Sequence, residues 1–322
     1  MTIKDKIYGK AVITEPILLK LLKSPYILRL KNISQFGIPD KYYYLKNFSR
    51  YEHSIGVMIL LRKLGATLEE QIAGLLHDVS VLAFSHVADW VFGEGRKGKE
   101  NYHNFMHSSF VKSTKVPIIL KRYGFAPNRM LDEKNFSLLE KNIPDLCADR
   151  IDYALREIKK WTNLSVTKKY VNDLINYNGG IIFSNSRTAF LFASDFLKLQ
   201  TRHWGGYEAM TRYHLFSQIL KIAIDEKILH PKDFYEDDRF VLNKIENSGN
   251  KIIRESLKIL RDKKLKLKKI KVGEVIIKKF RYVDPKILQN EKVVRLSEVN
   301  LRFRKILDKH RRINRRGLIV SF

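Results

Sequence analysis

Two histidines and two aspartates in the sequence have the chemistry of a metal site. His53 lies in the stretch SRYEHSIGV, His77 and Asp78 are adjacent in LLHDV, and Asp149 lies in ADRIDYALRE. Two imidazoles and two carboxylates suit Mn, Fe, Mg, Zn or Ni, whereas a structural zinc site favours thiolates. Such a site leaves coordination positions for water and a phosphate oxygen. An adjacent His-Asp pair is common by chance, so the pair alone carries little weight.

The segment around Asp149 supplies a second group of polar side chains. Arg150, Tyr153 and Glu157 are spaced i, i+3 and i+7, so on a helix they share one face beside Asp149. The cation there could meet a phosphate, while the phenol and the carboxylate could meet the hydroxyl groups of a sugar. This spacing indicates a surface that holds a nucleotide next to a metal.

Helices must position these residues, because apolar residues recur at helical intervals over most of residues 12–260. His53 lies near the start of a helix that ends at Gly65. His77 and Asp78 lie at the end of the next helix, which a capping box of Thr67 and Glu70 begins.

Further helices are predicted over residues 15–30 and 143–161, the second opening at Pro144 and Asp145. Residues 181–184 and 187–193 fit either a short β-hairpin or the start of another helix.

Composition excludes several classes of protein. Of 322 residues, 44% are hydrophobic, which excludes a disordered chain, and 16 Gly with 8 Pro exclude a collagen-like one. No apolar run is long enough to span a membrane, and the charged start MTIKDKIYGK is not a secretory signal. The single cysteine, Cys147, cannot form an internal disulfide, which favours a cytoplasmic location.

Positive charge is concentrated near the C-terminus. The chain carries a net charge of +27, and residues 241–322 hold 25 Lys and Arg against 8 Asp and Glu. This region could bind nucleic acid or another polyanion, or could equally be a solvated Lys-rich surface. Lys alternates with Leu, Ile and Val over residues 261–280, a pattern that predicts strands with one solvated face.

Four motifs in order resemble the HD-domain phosphohydrolases. They are SRYEHSIGV, LLHDV, AFSH and ADRIDYALRE. The sequence is most similar to the branch that contains the SAM-and-HD-domain dNTP triphosphohydrolases and their bacterial relatives. IYGKAVITEPILLKLLKSPYILRLKNISQFG is similar to the N-terminal signature of that branch, and the likeness continues through DFYEDDRFVLNKI (233–245). We therefore predict a mainly α protein with an all-helical HD domain over residues 1–250 and a smaller, basic α+β lobe over 251–322.

The resemblance implies a role for particular residues of the metal site. It makes His53, His77, Asp78 and Asp149 the metal ligands and Arg50 a contact to substrate phosphate. A guanidinium suits that task because its planar fork pairs with two phosphate oxygens.

Further residues match catalytic and sugar-binding positions of the branch. His86 and Asp89 would lie beside the attacked phosphorus, orienting water or protonating the leaving oxygen. His107 matches a further catalytic histidine, with His103 as a competing candidate. Gln35 would contact the sugar, although a loop residue that caps a nearby helix is an equal interpretation.

The sequence departs from this branch in three places. Relatives have a Gly-His-Gly-Pro run after the His-Asp pair, where this chain has residues 79–83, VSVLA. Ser108 follows His107 where relatives have Glu, and Phe36 replaces a common Leu near the sugar. None of these positions is a metal ligand, so the departures bear on substrate choice.

Two classes of enzyme and one binding protein fit these features. The first is a metal-dependent phosphohydrolase for nucleotides, foremost a (deoxy)nucleoside triphosphate triphosphohydrolase that releases nucleoside and tripolyphosphate. The second is a metal-dependent nuclease or phosphodiesterase for RNA or single-stranded DNA, with the basic region as its footprint. The third is a nucleic-acid-binding protein with a degenerate HD site. The resemblance also implies a homo-oligomer, and no membrane partner is expected.

Overall fold

The computed structural model describes residues 1–43, 47–93, 95, 102–262, 274–276 and 279–320. The helices of the first half are α1 (Pro16–Leu22), α2 (Pro25–Arg29), α3 (Arg50–Lys63), α4 (Leu68–Leu76), α5 (His86–Phe92), α6 (Tyr102–Lys112), α7 (Val116–Arg122) and α8 (Pro127–Met130). Those of the second half are α9 (Ala148–Trp161), α10 (Leu164–Asp173), α11 (Ser186–Leu199), α12 (Tyr207–Asp225), α13 (Asp238–Glu246), α14 (Lys251–Arg261), α15 (Leu296–Val299) and α16 (Leu301–Arg315). The strands are β1 (Thr2–Asp5), β2 (Gly9–Val12), β3 (Leu174–Tyr177), β4 (Gly180–Phe183), β5 (Glu274–Ile276), β6 (Lys286–Gln289), β7 (Lys292–Arg295) and β8 (Leu318–Val320). The mainly α prediction, with strands in a C-terminal part, is confirmed.

Helix α3 begins and ends where the sequence predicts. Ser49 accepts a hydrogen bond from the backbone N–H of Glu52, and the Glu52 carboxylate accepts one from the N–H of Ser49, which completes a capping box. The chain leaves α3 through Gly65, whose φ of +73° is the left-handed conformation that favours glycine.

Only half of the capping box predicted for α4 forms. Thr67 caps the helix by accepting a hydrogen bond from the N–H of Glu70. The Glu70 carboxylate instead accepts the backbone N–H groups of Leu138 and Leu139. It thereby ties α4 to the segment that leads into α9.

The start of α9 differs from the sequence prediction. The helix begins at Ala148 rather than at Pro144. Leu146 forms a β-bridge with Ile181, and Asp145 forms ion pairs with Lys286 and Arg295. These tertiary contacts hold the approach to α9 in a non-helical path.

Two other segments also differ in detail. The helix predicted over residues 15–30 is divided into α1 and α2, because Ser24 caps a new helix that Pro25 opens. Residues 180–183 form β4 and residues 186–199 form α11, so both readings of that region are partly right. Of the strands predicted over 261–280, most residues lie outside the described part of the chain.

The largest sheet has the order β3-β4-β6-β7. Its outer pairs are antiparallel, while β4 and β6 run parallel with Phe183 opposite Ile287. This sheet pairs strands from both sides of residue 250, where the two predicted domains meet. The division into domains at that position stays a prediction.

Two apolar clusters form the core of the described residues. The larger includes the buried faces of α3, α4, α9 and α11, and the smaller joins α5 and α12 to α13 and α14. The helices that carry His53, His77 and Asp149 belong to the larger cluster. Among the described residues, no helix combines the length and the apolar character needed to cross a membrane.

Candidate functional site

Four side chains from neighbouring helices converge at the floor of a cleft. Nε2 of His53 in α3 lies 3.2 Å from Nε2 of His77, the residue that ends α4. Oδ1 of Asp149, in the first turn of α9, lies 2.9 Å from the His53 nitrogen and 3.6 Å from the His77 nitrogen. Oδ2 of Asp78 lies 3.7 Å and 3.5 Å from the same two nitrogens. The structure therefore brings together all four residues that the sequence suggests as metal ligands, hereafter the ligand cluster.

The two imidazoles are oriented for metal binding by their other ring nitrogens. Nδ1 of His53 lies 2.7 Å from Oδ2 of Asp152, and Nδ1 of His77 lies 2.8 Å from the carbonyl oxygen of Gly74. Both partners are acceptors, so each Nδ1 donates and each Nε2 is the nitrogen that faces the cluster. The Nε2 atoms of the two histidines and a carboxylate oxygen of Asp149 lie within 4.8 Å of one another and form a donor set that fits a divalent cation, with Asp78 beside them.

The buried carboxylates of the cluster also favour the binding of a cation. Burial opposes protonation of His77, but Asp78 and Asp149 raise the pKa of that imidazole to about 10. Burial likewise opposes protonation of His53, whose pKa is nevertheless raised by Asp149 and Asp152. In the metal-free protein, bound protons therefore balance the buried carboxylates. A divalent cation would replace those protons.

Arg50 opens α3 beside the cluster. Its Nη1 donates to Oδ2 of Asp78 at 2.7 Å, and its Nε donates to Oγ of Ser85 at 3.0 Å. Burial favours the neutral form of Asp78, yet Arg50 and His77 hold the pKa of this carboxyl well below its usual range. Arg50 also lines the cleft, next to the ligand that it orients.

The loop after the His-Asp pair comprises residues 79–83, VSVLA. Arg29 donates to the carbonyl oxygens of Val79 and Val81, which fixes the course of this loop. Phe84 and Ser85 have φ angles of 63° and 46°, and both oxygens of the buried Asp238 accept backbone N–H groups from Phe84 and Ser34. The loop is thus held by side chains from distant segments.

His107 has a partner that the sequence did not suggest. Its Nδ1 lies 2.8 Å from Oγ of Ser80, in the loop that differs from the relatives. Burial, together with nearby His77, lowers the pKa of His107 to about 4. Ser108, which stands where relatives have Glu, is exposed. His103 lies outside the residues whose side chains are described.

His86 begins α5 at the side of the cleft. Its Nδ1 lies 3.0 Å from Oδ2 of Asp89, and its Nε2 lies 3.5 Å from Nη2 of Arg281. Asp89 is buried behind it, so the structure brings together the pair that the sequence suggests near the attacked phosphorus.

The ligand cluster opens into a cleft. Its walls carry both acidic and basic side chains, and they include Arg50, Glu133, Glu140, Lys141, Arg150, Lys279 and Arg281. Burial and the charge of Asp149 raise the pKa of Glu140 to about 7. Carboxylates and basic side chains thus line the same cleft as the ligand cluster.

An aromatic recess adjoins this cleft. The recess is lined by Gln35, Phe36, Phe48, His86, Tyr153, Glu157, Trp204, Tyr213 and Arg281. Gln35, His86, Tyr153 and Arg281 also line the cleft, so the two spaces meet. Three of the residues suggested as sugar contacts, Gln35, Tyr153 and Glu157, thus face one space.

Gln35 and Glu157 bring hydrogen-bonding atoms into the recess. Oε1 of Gln35 is buried and has no hydrogen-bond partner among the described residues. Glu157 is buried, which raises the pKa of its carboxyl. The Phe36 ring stacks on Tyr43 with 4.8 Å between centroids, and the hydroxyl of Tyr213 donates to the carbonyl oxygen of Phe36. The recess therefore combines aromatic rings with hydrogen-bonding side chains.

Arg150 is engaged by its own segment. It donates to the carbonyl oxygens of Asp145 and Lys141 and forms an ion pair with Glu140 at 3.0 Å. Its guanidinium lines the cleft but also fixes the chain that approaches α9.

Several residues of the site escaped sequence reasoning. Asp152 and Trp204 had visible signals, since Asp152 lies three residues after Asp149 and Trp204 lies in the aromatic segment RHWGGYEAMTRYHLF. Lys279 and Arg281 belong to the basic C-terminal region, but only the tertiary fold brings residues near 280 to a cleft formed by the first half of the chain.

Comparison with known proteins agrees with this arrangement. Residues 50–154 match the HD domain family. The uncharacterized protein YdhJ of Bacillus subtilis is 34% identical over 316 residues, which are 95% of this chain and 94% of YdhJ. The metal-dependent phosphohydrolase cns2 of Cordyceps militaris is 38% identical over 174 residues, 53% of this chain and 50% of cns2.

Two further proteins are similar over a shorter segment or at lower sequence identity. The deoxynucleoside triphosphate triphosphohydrolase SAMHD1 of Mus musculus is 32% identical over 145 residues, 38% of this chain and 22% of SAMHD1. The crystal structure of a hypothetical protein from Aquifex aeolicus has a TM-score of 0.65 at 18% identity and covers 97% of this chain and 99% of that one. The latter likeness shows that the fold is shared.

Proposed function

Since the chain belongs to the HD-domain family of metal-dependent phosphohydrolases, we propose that its substrate is a nucleotide, foremost a (deoxy)nucleoside triphosphate. Water would attack the α-phosphorus, the bond to the 5′ oxygen of the sugar would break, and nucleoside and tripolyphosphate would leave. SAMHD1, to which the HD region is similar, is a deoxynucleoside triphosphate triphosphohydrolase by name.

The observation that carries this proposal is the junction of the cleft and the aromatic recess. A triphosphate needs cations along its length, and a nucleoside needs rings and hydrogen-bonding groups. The cleft supplies Lys141, Lys279 and Arg281, and the recess supplies aromatic rings with Gln35 and Glu157. Because the two spaces meet at His86 and Tyr153, one molecule can place its phosphates in the first and its sugar and base in the second.

The ligand cluster would hold the cation at the phosphate end of this junction. A divalent cation bound by His53, His77, Asp78 and Asp149 supplies Lewis-acid polarisation of a phosphate oxygen. Arg50 fixes Asp78 through the 2.7 Å ion pair and adds positive charge beside the reacting phosphate.

His86 stands where the phosphates would meet the sugar. It lines both spaces, and Asp89 holds its Nδ1. Its Nε2 side faces Arg281 at 3.5 Å. We assign His86 the transfer of a proton to the leaving 5′ oxygen, with Asp89 orienting the ring. His107, whose ring is fixed by the hydrogen bond to Ser80, stays a predicted catalytic residue.

A nuclease that cuts RNA or single-stranded DNA is the second candidate. The observation that favours it is α16, in which seven of fifteen residues are Lys or Arg. This basic helix could bind the phosphates of a nucleic acid strand. The aromatic recess favours a single nucleotide instead, since its rings together with Gln35 and Glu157 offer partners for one nucleoside.

The test is a product assay with Mn²⁺ or Mg²⁺ on each dNTP, each NTP and a labelled single-stranded oligonucleotide. The proposal predicts release of nucleoside and tripolyphosphate from triphosphates, with the oligonucleotide intact. Trp204→Ala should raise KM for the triphosphate without changing Mn²⁺ affinity, because Trp204 lines only the recess. Shortening of the oligonucleotide with untouched triphosphates would refute the first candidate and support the second. Homo-oligomer formation and a cytoplasmic location remain predictions.

A further inference from the structure

A chain of buried charges connects the ligand cluster to the N-terminal hairpin formed by β1 and β2. Oδ2 of Asp152 lies 2.7 Å from Nδ1 of His53 and accepts from Nε of Arg156 at 2.8 Å. Nη2 of Arg156 donates to Oδ2 of Asp5 at 2.8 Å, at the end of β1. The exposed fractions of these side chains are 0% for His53 and Asp152, 4% for Arg156 and 5% for Asp5. No link in this chain is open to solvent.

From this geometry we infer that Asp152 is the positioning residue of the metal site and that Arg156 and Asp5 hold it in place. Asp152 selects the His53 tautomer that keeps Nε2 directed at Asp149 and His77. A ring without this acceptor could rotate or carry its proton on Nε2, and His53 would then be a poorer metal ligand. The inference concerns metal binding and does not depend on which nucleotide is the substrate.

Two side chains, His53 and Arg156, fix Asp152. Arg156 contacts both of its oxygens, since Nη2 also donates to Oδ1 at 3.2 Å. Arg156 follows Asp152 by one helical turn in α9, which makes the pair an i, i+4 ion pair. Burial removes the solvent that usually weakens such a pair, so the carboxylate has one defined orientation.

The hairpin completes the arrangement. Oδ1 of Asp5 accepts the backbone N–H groups of Ile7 and Tyr8 at 2.7 and 2.9 Å, which leaves Oδ2 for Arg156. The turn between β1 and β2 thus orients Asp5, and Asp5 orients the guanidinium.

Helices α3 and α9 pack so closely that the side chains of this network have no free space between them. Gly56 lies one turn after His53, and a Cβ added there would come within 2.0 Å of Nη2 of Arg156 and 2.1 Å of Oδ1 of Asp152. Only a residue without a side chain lets the two helices approach closely enough for the bond between Asp152 and His53.

The experiment measures Mn²⁺ affinity of the 322-residue chain from the EPR signal of free Mn²⁺, for Asp152→Asn and Asp5→Asn. Asp195→Asn is the matched control, because Asp195 accepts from the Tyr170 hydroxyl and pairs with Lys198, away from the cluster. Folding is followed by circular dichroism and thermal unfolding. We expect Asp152→Asn to lose Mn²⁺ affinity about 10- to 100-fold, Asp5→Asn to lose less, and the control to lose none.

A second readout separates positioning from general destabilisation. The visible absorption of bound Co²⁺ depends on ligand geometry, so its bands should shift in Asp152→Asn and stay unchanged in Asp195→Asn. Wild-type Mn²⁺ affinity in a folded Asp152→Asn protein would overturn the inference while leaving the proposed substrate unaffected. If Asp152→Asn does not fold, Asp5→Asn decides: wild-type affinity and an unshifted Co²⁺ spectrum there would also overturn it.

Discussion

Metal binding by the metal-free protein should release protons from the two imidazoles of the ligand cluster. Asp78 and Asp149 raise the pKa of His77 to about 10, and Asp149 with Asp152 raises that of His53, in both cases against the effect of burial. Both rings must present an unprotonated Nε2 to a cation. Adding Mn²⁺ at pH 7 is therefore a competition between the cation and bound protons.

The expected number of protons follows from these pKa values. At pH 7 a group with a pKa of about 10 is almost fully protonated, so His77 releases about one proton. The pKa of His53 is also raised, by Asp149 and Asp152, so His53 adds to this release. The total should therefore exceed the proton released by His77 alone.

Isothermal titration calorimetry in buffers with different ionisation enthalpies counts these protons. His107→Gln is the control, because His107 has a pKa of about 4 and is neutral at pH 7 in either state. The number of protons that His107→Gln releases on binding Mn²⁺ should match that of the wild type. His77→Ala should release about one proton fewer and bind Mn²⁺ more weakly. Mn²⁺ binding to the wild type without proton release would refute the charge balance that we assign to the cluster.

Three further perturbations have defined outcomes. In the metal-free protein the pKa of His107 is lowered to about 4 while the unfolded chain titrates near 6.5, so the unfolded state binds more protons between these values. The free energy of unfolding should therefore fall by up to about 3 kcal/mol as the pH drops through that window, and His107→Gln should remove this loss in urea titrations at pH 7 and 4.5. Gly37→Ala should cost about 1–3 kcal/mol in the same assay, because Gly37 has a φ of +85° and an added Cβ would lie 2.3 Å from the Phe84 carbonyl oxygen. Gln35→Leu should raise KM for a nucleotide several-fold and leave Mn²⁺ affinity unchanged, since Oε1 of Gln35 forms no hydrogen bond to a ligand of the cluster among the described residues; a loss of Mn²⁺ affinity would contradict this placement.

The ligand cluster was predicted from four motifs that resemble the HD-domain phosphohydrolases, and local helix signals predicted the elements that carry it. His53 follows a capping box by one turn, His77 ends a helix, and Asp149 lies in the first turn of another. The structure contains the helices that these local patterns predict. The i, i+3, i+7 pattern likewise placed Tyr153 and Glu157 on one recess, although Arg150 is also bonded to its own segment.

Tertiary contacts decided what the sequence could not. Glu70 has the spacing of a capping box, but a better-buried pair of N–H groups at Leu138 and Leu139 captures its carboxylate. The start of α9 moved to Ala148 because Asp145 has two basic partners from residues 286–295. Neither partner can be identified from local propensity.

The lobe near residue 280 shows the same limit. Lys279 and Arg281 were part of a basic run that could have been a solvated surface, yet both line the cleft. Their position depends on the parallel pairing of β4 and β6, which joins segments a hundred residues apart in the chain.

The most direct test of the central claim is ³¹P NMR of the products formed from a dNTP by the Mn²⁺-loaded wild type and by the His77→Ala/Asp78→Ala variant. His310→Gln serves as a matched histidine control, because His310 lies in α16, outside the cleft. The account predicts tripolyphosphate from the wild type and the control, and none from the double variant, which should remain folded. Equal turnover by the folded double variant would contradict the assignment of the ligand cluster as the catalytic metal site.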